Sequence, residues 1–312
     1  MGKIFACSDL HGRYDKYERI MEHVTDDDTL YFLGDAIDRN PDGMKILIDV
    51  MTRKNVEFFI GNHELMMYCT LFMHDELSAV EKDRLAADGT IFSDSPHLNG
   101  LTIDRHSYGA WTNFSNRGDV TLGDFLHHYI DRKDELRQFF LHAHVRKTIT
   151  IGGKKYCLSH TGYTADGNDD LDFADTGANN LAGNAFWHSP FALVSDIAGR
   201  KIKDMGDRTV LYPYDVAAAA NADDFDDAGY SFLKNAKEDV TYICGHIFVQ
   251  RLGTDKMACM VLQGRIDGKE KHVLFADIDG GCAMNENFCK KNGIRVPRAV
   301  LYNITDDEAV YV

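Results

Sequence analysis

An α/β fold is predicted for this chain by three observations. A strand, polar loop, helix rhythm recurs through the first 65 residues, each apolar strand stops at a cluster of polar side chains, and the composition supports a large core. Of 312 residues, 44% are hydrophobic and 27% charged, which suits one or two globular domains. KIFACSD reads as a buried strand ending at Asp9 and Gly12. In YDKYERIMEHV, Tyr14, Tyr17, Ile20, Met21 and Val24 fall at helical spacing. After Asp26, Asp27 and Asp28 comes TLYFLGD, a second strand ending at Gly34 and Asp35. MKILIDVMTRK is helical again, and NVEFFIGN is a third strand with the same kind of ending. This alternation implies parallel neighbours with crossover helices, and strand C-termini in such sheets form one ligand-binding edge.

From Leu65 to about Lys147 the character changes to helical runs such as LMMYCTLFMHDEL and DELRQFFLHAHV, with the Gly/Ser/Asp-rich DGTIFSDSPHLNG between them. This reads as a mainly helical insertion, approximately 65–147, in a single domain over 1–312. KTITIGGKKYCLSH is expected to form a hairpin about Gly152 and Gly153, ending at Ser159 and His160. Residues 166–180 and NADDFDDAG from Asn221 read as acidic surface loops. DVTYICGH, MACMVLQGRI and HVLFADIDGG supply further strands without intervening helices, so a second, mostly antiparallel sheet is expected.

The formal charge is −15, which argues against a sequence-independent grip on nucleic-acid phosphates. MGKIFACSDLHG lacks the apolar core of a signal peptide, and no stretch approaches the roughly 20 apolar residues that cross a bilayer. A cytoplasmic protein with neither nucleic-acid nor membrane partners is expected. The seven cysteines show no CxxC pairing, so they suggest neither a disulfide framework nor a thiolate metal site.

The predicted strand ends carry Asp9 and His11; Asp35, Asp38 and Arg39; Asn62, His63 and Glu64; then His160; then His246. This oxygen and imidazole set suits divalent manganese, iron or zinc, with manganese the first expectation. Two adjacent ions need a bridging carboxylate, and Asp35, on the central strand of the first three, is the natural one. Singly, each motif has an ordinary structural reading: Asp9 and His11 as a surface pair, Asp38 and Asn62 as helix caps, and the two histidines as satisfied core residues. Their joint occurrence at the ends of apolar strands argues for one site.

In this order, DLH, GDAIDR, GNHE, SHTG and GH resemble the calcineurin-like metallophosphoesterases, and GDxxDR with GNHE is most similar to their phosphoprotein phosphatase branch. AFWHSP resembles that branch's Leu-Trp-Ser-Asp-Pro segment, and DIDGGCA near Asp279 continues the likeness. The resemblance implies a four-layer αββα sandwich with a dinuclear site. It assigns Asp9, His11 and Asp35 to one metal and Asp35, Asn62, His160 and His246 to the other. His63 would face the leaving group with Asp38 bonded to it, and Arg39 would grip the phosphoryl oxygens. The roles of Asp277 and Asp279 stay open.

Chemistry supports these roles, since an imidazole held by a carboxylate can protonate a departing alkoxide and a planar guanidinium matches two phosphoryl oxygens. Two departures stand out: Arg200 is the sole nearby candidate for a further substrate-binding arginine, and GHIF replaces the commoner GHTP. The expected function is metal-dependent hydrolysis of a phosphomonoester, on the pattern of a serine/threonine protein phosphatase, with a phosphoprotein or small phosphoester as substrate. Hydrolysis of a nucleotide polyphosphate such as a dinucleoside tetraphosphate is the alternative. A binding module without activity is a third reading, opposed by the complete ligand set. His127, His128, His142 and His144 are taken as structural or surface residues; His74, His97 and His106 lie in the insertion without an assigned role. The segment from Asp170 to Gly177 does not fit an EF-hand.

Overall fold

The structure, a computed structural model, describes residues 2–76, 78–87, 89, 91–92, 101–163, 170–176, 186–195, 202–215 and 232–312. The first sheet begins as expected, with strand β1 (Ile4–Cys7), helix α1 (Tyr14–Met21), β2 (Thr29–Phe32), α2 (Gly43–Thr52), β3 (Val56–Phe58) and α3 (Asn62–Leu71). The three strands are parallel neighbours in the order β1, β2, β3. Helix α4 (Ala79–Ala87), the short ribbon β4 (Ile91–Phe92) with β5 (Ile103–Asp104), α5 (Arg105–Trp111), α6 (Gly118–Asp124) and α7 (Lys133–Leu141) follow.

The second sheet opens with β6 (His144–Ile151), β7 (Lys154–Ser159) and β8 (Leu171–Asp172). After α8 (Pro190–Ser195) come β9 (Ile202–Asp204), β10 (Arg208–Asp215), β11 (Val240–Cys244), β12 (Met257–Ile266) and β13 (Lys269–Asp277). Helix α9 (Glu286–Lys291) precedes β14 (Val300–Asn303) and β15 (Glu308–Tyr311), which return to the first sheet and pair antiparallel beside β1. The second sheet runs β8-β6-β7-β11-β13-β12-β10-β9.

One local expectation holds for most of the strand pairs and another is corrected. The second sheet is mixed, because β11 lies parallel to both β7 and β13, and β10 lies parallel to β12. The run DELRQFFLHAHV is not helical to its end: α7 stops at Leu141, and His144 opens β6, bridging in parallel to Phe59. The hairpin about Gly152 and Gly153 forms, with both glycines at positive φ.

Side-chain alternation shows how the layers stack. On β1 and β2, Phe5, Cys7, Leu30 and Phe32 face a core shared with α1, α2, α3 and α7. The intervening Ala6, Tyr31 and Leu33 face Tyr156, Leu158, Ile243, Met257 and Ala276 of the second sheet. The far face of that sheet packs Tyr242, Met260 and Phe275 against Phe191, Leu233 and Leu252. A period of two along strands buried on both faces thus builds helix, sheet, sheet, helix layers, and burial of each large apolar side chain contributes roughly 1.5–3 kcal/mol.

Candidate active site

The two sheets present their strand C-termini to a common edge. On the first sheet the loops after β1 and β2 stay zipped together, with Asp9 N–H donating to Gly34 O (3.0 Å) and His11 N–H to Asp35 O (2.9 Å). On the second sheet Gly245 N–H donates to His160 O and Ile278 N–H to Cys244 O, each at 2.8 Å. His160 therefore stands beside the loop that carries His246, and Asp277 and Asp279 follow β13 on the other side of β11. Among the bonds that cross between the sheets at this edge are His160 Nδ1–H to Leu33 O (2.7 Å) and His246 N–H to Asp9 Oδ2 (2.9 Å).

Backbone strain concentrates here. Nine non-glycine residues among those described have positive φ, and six are Asp9, His11, Asp35, Asp38, Arg39 and His246. Each such conformation costs about 1–3 kcal/mol, with Asp among the side chains that tolerate it best, and it persists only where surrounding bonds enforce it. Gly61 has an ordinary φ of −92° but is required by close approach, because a Cβ there would lie 2.2 Å from Asp35 Oδ1.

All the ligands expected from the sequence converge. Asp35 Oδ2 lies 3.5 Å from His11 Nε2 and 3.6 Å from His160 Nε2, and Asp9 Oδ1 is 3.9 Å from His11 Nε2. Asn62 Oδ1 is 3.0 Å from both His160 Nε2 and His246 Nδ1, which are 3.2 Å apart. His11 Nδ1–H donates to Ile37 O at 2.9 Å, and the His246 ring bonds the Trp187 backbone carbonyl. In the neutral rings these bonds leave a lone pair on each nitrogen that faces Asp35 or Asn62. Three acceptors around Asn62 then face one another with no proton between them. Bonds of about 2.0–2.2 Å to a shared cation would separate its donors by roughly 3 Å, and metal-binding histidines characteristically donate their other N–H to a carbonyl. The donor set fits two cations sharing Asp35.

Electrostatics point the same way. Burial, reinforced by Arg39 and His63 for His11 and by His160 and His63 for His246, pushes both imidazoles well below their usual range, into the neutral form a metal requires. Burial also raises Asp35, Asp277 and Asp279 well above the ordinary carboxylate range, with neighbouring carboxylates adding to the effect. Asp35 is moderated by His63, whose backbone N–H donates to Asp35 Oδ1 at 3.1 Å.

Beside the cluster, His63 Nδ1–H donates to Asp38 Oδ2 at 2.6 Å and Arg39 Nη2–H donates to His63 Nε2 at 3.3 Å. His63 Nε2 is also 3.8 Å from Asp35 Oδ2, so that nitrogen borders the His11 side of the cluster. Arg200 and His97 lie outside the described residues. Arg13 is engaged by Asp15 and by Cys282 O. His127, His128, His142 and His106 are exposed, and His74 pairs with Asp104. His144 is tied to Glu57 and Asp172.

Glu64 supports the site from behind. Its fully buried carboxylate accepts from Asp35 N–H (2.8 Å), Ala36 N–H (2.8 Å), Ile37 N–H (3.3 Å) and Gly61 N–H (3.0 Å), so it holds the loop that carries Asp35 and Asp38. Trp111 and Thr121, which bond Asp38, were missed altogether because no local motif marks them.

The profile of the calcineurin-like phosphoesterases matches residues 2–250, and the chain belongs to that family. A symmetrical bis(5'-nucleosyl)-tetraphosphatase from Legionella pneumophila (strain Lens) is 32% identical over 95 residues, 27% of this chain and 34% of that protein. The enzyme of the same name from Chromobacterium violaceum is 25% identical over 115 residues, 34% of this chain and 40% of its own. These matches therefore span about a third to two fifths of the relatives' length. A solved protein serine/threonine phosphatase from Saccharomyces cerevisiae is similar over 100% of this chain and 79% of its own, at 13% identity and a TM-score of 0.43.

Proposed function

We propose that the protein hydrolyses phosphoesters with two divalent cations, one held by Asp9, His11 and Asp35 and the other by Asp35, Asn62, His160 and His246. The observation that carries this reading is the convergence of acceptor atoms on both sides of Asp35 Oδ2, next to a buried His63–Asp38 pair. When bound, the ions would neutralise the phosphoryl oxygens and make hydroxide available at neutral pH. Manganese is the first candidate, iron or zinc the others.

The chain's own groups account for the rest of the reaction. Arg39 aligns the phosphoryl group through its planar fork. His63 Nε2 accepts from Arg39 in the structure, so for this step the ring first takes up a proton at Nε2 as Arg39 turns to the phosphoryl oxygens, and it gives that proton to the departing oxygen as the P–O bond to the leaving group breaks. Asp38 fixes the ring by accepting the Nδ1 proton, which keeps Nε2 on the substrate side.

For substrate class, the names of the two curated relatives favour a nucleotide polyphosphate of the dinucleoside tetraphosphate type over a phosphoprotein. In this reading residues 1–312 form one domain, and the helices between β3 and β6 are an insertion beside the site. None of the seven cysteines is in a disulfide, which supports a reducing, cytoplasmic setting. No helix among the described residues is long and apolar enough to cross a membrane. The test is turnover of diadenosine tetraphosphate, a phosphoserine peptide and an aryl phosphate by manganese-loaded protein. Preference for the dinucleotide is expected, turnover of the phosphopeptide alone would reverse the substrate assignment, and turnover unaffected by chelation would refute the metal assignment.

A further inference from the structure

The insertion reaches into the proton-donating pair. Asp38 Oδ2 accepts two hydrogen bonds, from His63 Nδ1–H at 2.6 Å and from Trp111 Nε1–H at 2.7 Å. Trp111 is the last residue of α5 and is fully buried. The backbone N–H of Asp38 donates to Thr121 Oγ1 of α6 at 2.9 Å, and Thr121 is buried too. Two insertion helices thus hold the same aspartate, one by its carboxylate and the other by its backbone.

Neighbouring residues make room for this arrangement. A Cβ at Gly118 would lie 2.4 Å from both Cδ1 and Nε1 of the Trp111 indole, so the first residue of α6 must lack a side chain for the ring to seat. Arg117, immediately before it, adopts a left-handed φ of 56° to start the helix there. Asp38 itself has a φ of 73°, a conformation that needs external support. Its other carboxylate oxygen, Oδ1, is buried with no hydrogen-bond partner among the described residues. The carboxylate is therefore not fixed symmetrically, and its rotation is set by the two donors on Oδ2.

We propose that Trp111 is a positioning residue for phosphoester hydrolysis, its indole N–H fixing the Asp38 carboxylate so that His63 stays aimed at the leaving oxygen, with Thr121 anchoring the same aspartate from behind. The inference rests on the hydrolase reading above and adds that the insertion belongs to the leaving-group side of the machinery. A residue acting through the proton donor matters most when the departing oxygen is basic. An alkyl oxygen needs protonation as it leaves, whereas a nitrophenolate departs readily without it.

The experiment uses the full chain loaded with manganese and compares wild type, Trp111→Phe, Thr121→Val, His63→Asn and the Trp111→Phe/His63→Asn double variant. Trp111→Phe keeps an aromatic ring while removing the N–H, and Thr121→Val keeps the shape while removing the acceptor. Rates are measured on p-nitrophenyl phosphate and on an alkyl phosphate, alongside bound manganese. The expected result is a fall in kcat of about 10–100-fold on the alkyl ester and less than about threefold on the nitrophenyl ester for Trp111→Phe, with KM and manganese content unchanged. Thr121→Val should show a smaller loss with the same bias. In the His63→Asn background, Trp111→Phe should add less than about twofold, because both act through one group. Equal losses on the two esters, additivity in the double variant, or an unchanged Trp111→Phe rate would overturn the proposal while leaving the hydrolase reading intact. No metal-dependent turnover by wild type of either ester or of diadenosine tetraphosphate would overturn both.

Discussion

The two sheet edges that form the site contribute different things. The edge of the first sheet supplies the carboxylates Asp9, Asp35 and Asp38 and five of the six left-handed site residues, tied by Glu64, Trp111 and Thr121. The edge of the second supplies His160 and His246, whose ring nitrogens meet the first sheet's Asn62 at 3.0 Å and each other at 3.2 Å. On the His11 side of Asp35 the separations are wider, at 3.5 and 3.9 Å. The difference teaches that the first sheet carries most of the strain and the carboxylates that face the histidines, whereas the second brings imidazole nitrogens to that frame and keeps Asp277 and Asp279 buried at its own edge. Electrostatic cost and metal affinity are thereby divided between separate stretches of chain.

The strongest way to break this division is to remove what both halves share. Asp35→Ala should lose both bound cations and bring hydrolysis below detection, as measured by metal analysis and initial rates; retention of one full equivalent would show that Asp35 is not common to the two sites. Next in size is His63→Asn, expected to lower kcat by about 10²–10⁴-fold on an alkyl ester while two equivalents of manganese stay bound. Loss of one equivalent would instead make His63 a ligand, a role its 3.8 Å approach to Asp35 Oδ2 would permit.

Glu64→Gln tests whether the first-sheet frame needs its anchor. Its carboxylate oxygens accept four backbone N–H bonds, and an amide would turn a donor toward some of them. A loss of roughly 1–3 kcal/mol in unfolding free energy is expected, together with weaker metal binding. Unchanged stability would show that the loop holds its shape without this residue.

The smallest effect concerns the seam where β6 meets β3, remote from the chemistry. Glu57 is held down to about 2, chiefly by its bond to His144 and also by Lys147, and His144 is raised, chiefly by Glu57 and also by Asp172. Stability from the lowered Glu57 is complete above its ordinary value and is lost as pH falls toward about 2. Stability from the raised His144 is complete below its ordinary value and is lost as pH rises through the shifted one. Both contributions coexist between roughly pH 4.5 and 6.5. His144→Gln should therefore reduce thermal stability most in that window, by at most about 1 kcal/mol because the pair is partly screened by solvent. A pH-independent difference in Tm would contradict the ion-pair account.

Legibility in the sequence followed the range of the interactions. The β1, β2 and β3 repeat was readable because each strand, loop and helix follows directly in the chain, and the polar stops at Asp9, Asp35 and Asn62 mark one edge. His160 and His246 could be picked out as strand ends, but the parallel pairing of β7, β11 and β13 that sets them side by side depends on contacts between distant segments. The return of β14 beside β1 was hidden for the same reason. HAHV looked helical because its apolar spacing continues that of α7, whereas pairing of His144 with Phe59 ends the helix. Trp111 and Thr121 carry no local signature; a buried tryptophan between helices reads as core until its N–H is seen to meet Asp38.

The central claim is that two cations share Asp35. The most direct measurement is anomalous diffraction from crystals of the manganese-loaded protein. Two manganese peaks about 3.5–4 Å apart are predicted, one between Asp9, His11 and Asp35 and the other between Asp35, Asn62, His160 and His246. A single peak, or two peaks of which one lacks Asp35, would contradict the account.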